Sequence, residues 1–251
     1  MNNRFDPHQQ YNQAAAAPGV SADALSKSFM ANVFSFMFVA VAVTGLVAYL
    51  FGTSPAFMEM MFTFNDYGVA TGYSGLHWIA VFAPFAFILI MGFGIRKMHP
   101  MIMLVVFVLF AGTMGMSLST IFLVYSLGSI YTTFLIASGT FGIMALVGYT
   151  TKTDLTKFGS ILMMGLLGLV LAMVVNWFVG SEPMQYLISV IGVLIFTGLT
   201  AYDVQKLKRI GSGLEYGTAD TFKMALWGAT DLYLDFINLF LFLLRIFGSR
   251  D

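Results

Sequence analysis

The chain has 251 residues, of which 59% are hydrophobic and only 10% charged, with a mean hydropathy of +0.85. A soluble domain of this size carries roughly a quarter charged residues, so the composition is that of a membrane protein. Net charge is zero and cysteine is absent, which gives no support to a nucleic-acid partner and excludes disulfides, thiolate metal sites and cysteine nucleophiles.

Residues 1–28 are polar and small, with the low-complexity run QQYNQAAAAPG. They lack the basic start, short apolar core and cleavage site of a secretory signal, and are expected to form a disordered polar tail ahead of an uncleaved first span. Beyond them, charge-free stretches long enough for about 20 helical residues recur along the chain. They predict seven transmembrane helices, near 29–51, 76–96, 101–124, 130–150, 159–180, 184–204 and 224–247. The stretch 98–151 is too long for one span and is divided at YSLGSI, 125–130. Pro100, Gly180 and Pro183 fall at predicted ends, where helices tolerate them, whereas Pro84 lies inside the second span and should bend it. Gly112, Gly115, Gly139, Gly142, Gly165 and Gly168 recur at three- or four-residue spacing, which suits close helix approach.

Loop charge predicts the orientation. The connections after the second, fourth and sixth spans hold Arg96, Lys97, Lys152, Lys157, Lys206, Lys208 and Arg209, with Lys223 entering the seventh. Those after the first, third and fifth hold no Lys or Arg, only Glu59, Asp66 and Glu182. The N-terminus is therefore expected in the cytoplasm and the C-terminus, after an odd number of spans, on the far side. Arg245 and Arg250 run against the rule, although Arg245 can snorkel to the interface. Trp78, Trp177 and Trp227, near predicted ends, read as interface anchors.

Three acids lie inside the predicted spans: Asp203 in TGLTAYDVQKLKRIG, and Asp231 and Asp235 in the last span. Asp235 follows Lys223 by about 18 Å of helix, which places it well inside the hydrocarbon layer. A carboxylate there is costly and ordinarily faces a cavity and a partner. Asp231, one turn earlier, shares its helical face. A short connection makes the sixth and seventh spans antiparallel neighbours, so Asp203 can approach this pair. Carboxylates that close in a poorly solvated place cannot all ionise, and they titrate as a coupled group. One shared proton then holds the two helices together, and its loss makes them repel. The same oxygens suit a hard cation such as Ca²⁺, so protons and calcium should antagonise each other. Plain structural roles stay open: Asp203 as an interfacial carboxylate beside Lys206, and Asp235 as a protonated cross-link between helices. Asn238, one turn beyond Asp235, reads as polar support between helices. The histidines His8, His77 and His99 show no metal-ligand spacing.

TGLTAYDVQKLK in the sixth span and LYLDFINLFLFLLRIFG in the seventh resemble the two most characteristic stretches of the Bax inhibitor-1 family (transmembrane Bax inhibitor motif proteins), in a bacterial version. The resemblance covers residues 25–248. It implies an all-α membrane protein with seven transmembrane helices, the seventh central and surrounded by the other six, in a bacterial inner (cytoplasmic) membrane. It implies a pH-sensitive calcium leak rather than an enzyme, with no cofactor, calcium as the transported ion, and lipid, protons and calcium ions as partners. Matched position by position, the pH sensor and ion gate is Asp203 of AYD with Asp235 of LYLDF, which are also the candidate calcium ligands. The family's paired acids share a proton in the closed form and separate when the pore opens. A basic residue near the end of the second span helps latch them, and Arg96 in GFGIRKMHP is the nearest match. Asp231 stands where an uncharged residue is expected in bacterial relatives, as a possible additional acid. IGSGLEYGTADT reads as a soluble insertion between the two motifs.

Two other functions compete. Some bacterial relatives resemble modulators of a membrane quality-control protease, which would make this chain a non-transporting interaction protein. Intramembrane aspartyl proteases also share a proton between two helix-borne carboxylates, to activate water. They carry Gly-x-Gly-Asp and a later Pro-Ala-Leu, whereas here the second acid sits in YLD and no Pro-Ala-Leu follows. A retinal protein needs a lysine deep in its last helix, and Lys223 stands at the start.

Overall fold

The structure is a computed structural model and describes residues 22–67, 70–215 and 217–249. Of the expected tail, residues 1–21 lie outside the described residues, while 22–28 form the first turns of a helix. That helix is α1 (Ala22–Thr53), followed by α2 (Pro55–Met61), the strands β1 (Phe62–Phe64) and β2 (Ala70–Tyr73), and α3 (Gly75–Gly94). Then come α4 (Pro100–Leu118), the single turn α5 (Ile121–Val124), α6 (Leu127–Thr150), α7 (Thr156–Val179), α8 (Glu182–Ser212) and α9 (Ala219–Phe247). Among the described residues six helical stretches are long and apolar enough to cross a membrane: Asp23–Thr53, Gly75–Gly94, Pro100–Val124, Leu127–Thr150, Thr156–Val179 and Glu182–Ser212. The chain is a multi-pass membrane protein, and its described residues are helical apart from one short hairpin and the connections.

Local chemistry sets the helix ends. Ser74, Ser126, Ser181 and Thr218 each accept a backbone N–H from the first turn of α3, α6, α8 and α9, satisfying donors that a helix start leaves free. Pro55 and Pro100 open α2 and α4, where a missing N–H costs nothing. Gly180 ends α7 in the left-handed region at φ 66°, which only a residue without Cβ adopts cheaply. The third span ends at Val124 as expected, with a turn at Ser119–Thr120 between α4 and α5. Other boundaries differ: α6 begins at Leu127, three residues early, because Ser126 caps it. α8 runs on to Ser212, so the expected insertion shrinks to the connection 213–218. α9 starts at Ala219 behind its Thr218 cap, five residues before the expected 224.

The first long connection folds as α2 and the antiparallel pair β1–β2, with Phe62 opposite Tyr73. Met61, Phe62 and Ala80 bury a small cluster apart from the main core. In that core α9 packs against α8, α1, α6 and α4, while α3 packs on α4 and α7 on α8. Leu226, Leu232, Tyr233 and Leu239 of α9 are fully buried. Ser26 Oγ donates to the Lys208 carbonyl (2.9 Å), which puts the start of α1 and the end of α8 on one face. Ser249 N donates to Ser129 Oγ (3.0 Å) on the opposite face, where α6 begins. α9 therefore runs through the full depth of the bundle.

Glycines mark the close approaches, and only some of these are ones that the spacing suggested, Gly115 among them. A Cβ on Gly115 would lie 2.6 Å from the Thr44 carbonyl oxygen, and one on Gly148 would collide with the Ala201 carbonyl. Gly112, Gly139, Gly142 and Gly168 have nothing within 4 Å of that position. Spacing places residues on one face, but only the neighbour decides whether that face is crowded.

Candidate functional site

α8 and α9 are antiparallel across a six-residue connection, so the two acidic motifs face each other. Asp235 sits about 24 Å along the axis from Ala219 and about 18 Å from Phe247, near the middle of α9. It is 5% exposed, while the side chains of Asp203 and Asp231 are 14% and 25% exposed. Asp235 lies within hydrogen-bonding reach of Asp203. Its Oδ2 is buried and accepts no hydrogen bond among the described residues. Asp231, one turn away on the same face, joins them in a cavity of about 450 Å³ whose apolar wall comes partly from α7.

Lys206 is the base at this site. Its Nζ lies 3.2 Å from Asp203 Oδ1, one turn back on α8, and 3.6 Å from Asp231 Oδ2 on α9, so one ammonium ties the two helices. The expected latch, Arg96, is exposed in the turn after α3 and pairs with none of these acids. Asn238 lines the cavity, and its Nδ2 donates to the Leu234 carbonyl one turn back on its own helix α9 (2.8 Å) rather than across to a neighbour. Three carboxylates against one ammonium leave two charges to be met by protons or a cation. Among the described residues no three His, Asp or Glu converge as ligands for a resident metal. The oxygen donors at the site are carboxylates, the ligand type that hard cations take.

The other face of the same motif does different work. Gln205 accepts from Leu155 N (2.9 Å) through Oε1 and donates through Nε2 to the Thr153 carbonyl (2.8 Å). Arg209 bonds both Gln205 Oε1 (2.6 Å) and Asp154 Oδ1 (2.9 Å). Lys208 donates to the Tyr149 carbonyl (2.9 Å) and lies over the Tyr149 ring. Asp154 also accepts the hydroxyl and backbone N–H of Thr156, and these bonds with Arg209 lower its carboxyl to about 2. Sequence reasoning missed this clasp. The signal was available: 205, 208 and 209 are spaced for one helical face, and 203 and 206 for another.

Antiparallel interior helices that set carboxylates face to face inside an apolar bundle define a class of polytopic membrane protein with an ionisable core. The family described as inhibitor of apoptosis-promoting Bax1 matches residues 26–251, and the chain belongs to this Bax inhibitor-1 family. It is 42% identical over 225 residues to inner membrane protein YbhL of Escherichia coli K12, covering 89% of this chain and 92% of that one. It is 38% identical over 237 residues to a protein of Borreliella burgdorferi, covering 90% and 94%. A protein of Caulobacter vibrioides is 38% identical over 231 residues, with 92% of each chain covered.

Proposed function

We propose that the chain is a pH-sensitive calcium leak channel gated by a proton shared between Asp203 and Asp235. One observation carries this reading: Asp235, buried at mid-helix with Oδ2 unpartnered, faces Asp203 across the α8–α9 interface. A carboxylate held so deep persists only with a partner, and partners that leave make a switch. In this reading the arrangement is the closed form. A proton between the two acids ties α8 to α9; without it, like charges push the helices apart and the freed oxygens attract a hard cation. Asp231, Lys206 and the neighbouring Tyr202 are the other titratable groups around the pair.

The same reading makes α9 a seventh span, central and surrounded by the other six. Its 29 residues and its passage from one face of the bundle to the other support this. The inner membrane is its place, as the name of the Escherichia coli relative suggests. The N-terminus then lies in the cytoplasm and the C-terminus on the far side, by the loop charges.

The test is calcium flux into dye-filled liposomes across a pH series. The purified wild type is expected to leak more as pH rises, and Asp203→Asn and Asp235→Asn to lose that dependence. Identical traces for all three at every pH would remove the channel and leave a non-transporting interaction protein.

A further inference from the structure

Lys206 occupies the ground that a cation would need. Its ammonium touches carboxylates of two different helices, and Lys206 lines the same cavity as the buried Asp235. A lysine ammonium is a compact point charge on a flexible stem, so it competes with a metal cation for the same oxygens and can withdraw. The side chain is 42% exposed, which leaves it room to swing out without disturbing α8. Its neighbours cannot replace it: Lys208 is held by Tyr149, and Arg209 by Asp154 and Gln205.

We propose that Lys206 is a tethered counter-ion that fills the Asp203–Asp231 pair and must be displaced before a divalent cation can use both carboxylates. Asp231 is then the second anchor of this internal cation. The inference rests on the channel reading, but it concerns cation competition at Lys206 and not the protonation of Asp235.

The chain has no cysteine, so Lys206→Cys carries a single addressable thiol. The readout is the calcium concentration giving half-maximal flux, taken at the alkaline plateau where protons no longer compete. Lys206→Cys is expected to lower it about tenfold, the scale of two partly exposed ion pairs. Aminoethyl methanethiosulfonate restores an ammonium, as the thiolate displaces methanesulfinate, and should return the wild-type value. Methyl methanethiosulfonate adds a neutral group and should not. Lys206→Gln, neutral and of similar length, repeats the prediction should the cysteine variant not fold, and Lys206→Arg should stay near wild type. Wild-type values in both neutral variants, or equal effects of both reagents, overturn the counter-ion. A wild type silent at every pH overturns the channel itself, a different result.

Discussion

The hydroxyl of Tyr233 is enclosed between α1, α4 and α9 and lies 2.8 Å from Thr44 Oγ1. Thr44 has one hydroxyl hydrogen, which goes to the Ala111 carbonyl (2.8 Å), so Tyr233 is the donor in the pair. Thr44→Val leaves a buried phenol without an acceptor and is expected to cost about 2 kcal/mol, against about 1 kcal/mol for Tyr233→Phe. Unfolding of the two variants in detergent checks the order; a milder Thr44→Val would mean the phenol finds another acceptor. Asp154 gives a second residue-scale expectation. Its carboxyl lies below the ordinary value of 3.8, so its contribution is complete above that value and is lost as pH falls through about 2. Asp154→Asn is therefore expected to leave the pH midpoint of flux unmoved, because this group does not change charge in the neutral range. A shifted midpoint would tie the 151–155 connection to the sensor. Asp203 and Asp235 were legible in the sequence because charge inside an apolar run is costly and conspicuous. The bridge from Lys206 to Asp231 was not, since it depends on how α8 and α9 are rotated against each other.

At the scale of elements, the long seam between α6 and α8 includes one bare backbone contact, Gly148 against the Ala201 carbonyl. A methyl group there forces the helices apart, because neither side of the contact is a flexible side chain. Gly148→Ala is expected to destabilise by about 2 kcal/mol, whereas Gly139→Ala, which meets nothing within 4 Å, should be near neutral. Melting temperatures of the two variants decide it; equal values would show that α6 and α8 slide freely. Helix existence was readable from charge-free runs, and several ends from their Ser, Thr and Pro signals. The overrun of α8 to Ser212 was not, because apolar length stops near residue 204. The extra turns persist on polar ties that Gln205, Lys208 and Arg209 make to α6 and the following connection. Hydropathy measures where lipid ends, while hydrogen bonds decide where a helix ends.

For the whole molecule, the odd number of crossings is the expectation most open to direct test. Ser212 and Ser249 are exposed on opposite faces, and the chain has no native cysteine. With an impermeant maleimide on intact spheroplasts, Ser249→Cys is expected to react, and Ser212→Cys only after permeabilisation. Labelling of Ser249→Cys from the cytoplasmic side alone would sink the seven-span reading. Loop charge predicts this arrangement because Lys and Arg alternate cleanly between connections. It said nothing of α2 and the β1–β2 hairpin, whose short apolar residues look like continuations of the first span.

α7 packs on α8 and supplies part of the wall around the acids, while only 11% of its most apolar window is buried in the protein. One side of the carboxylates' enclosure is thus a single helix thick, with hydrocarbon beyond it. The insulation of the acids is shared property: bilayer thickness and lateral pressure act on that partition as directly as any side chain does. The same chain in thin and thick membranes is, in this respect, two different electrical environments for Asp235.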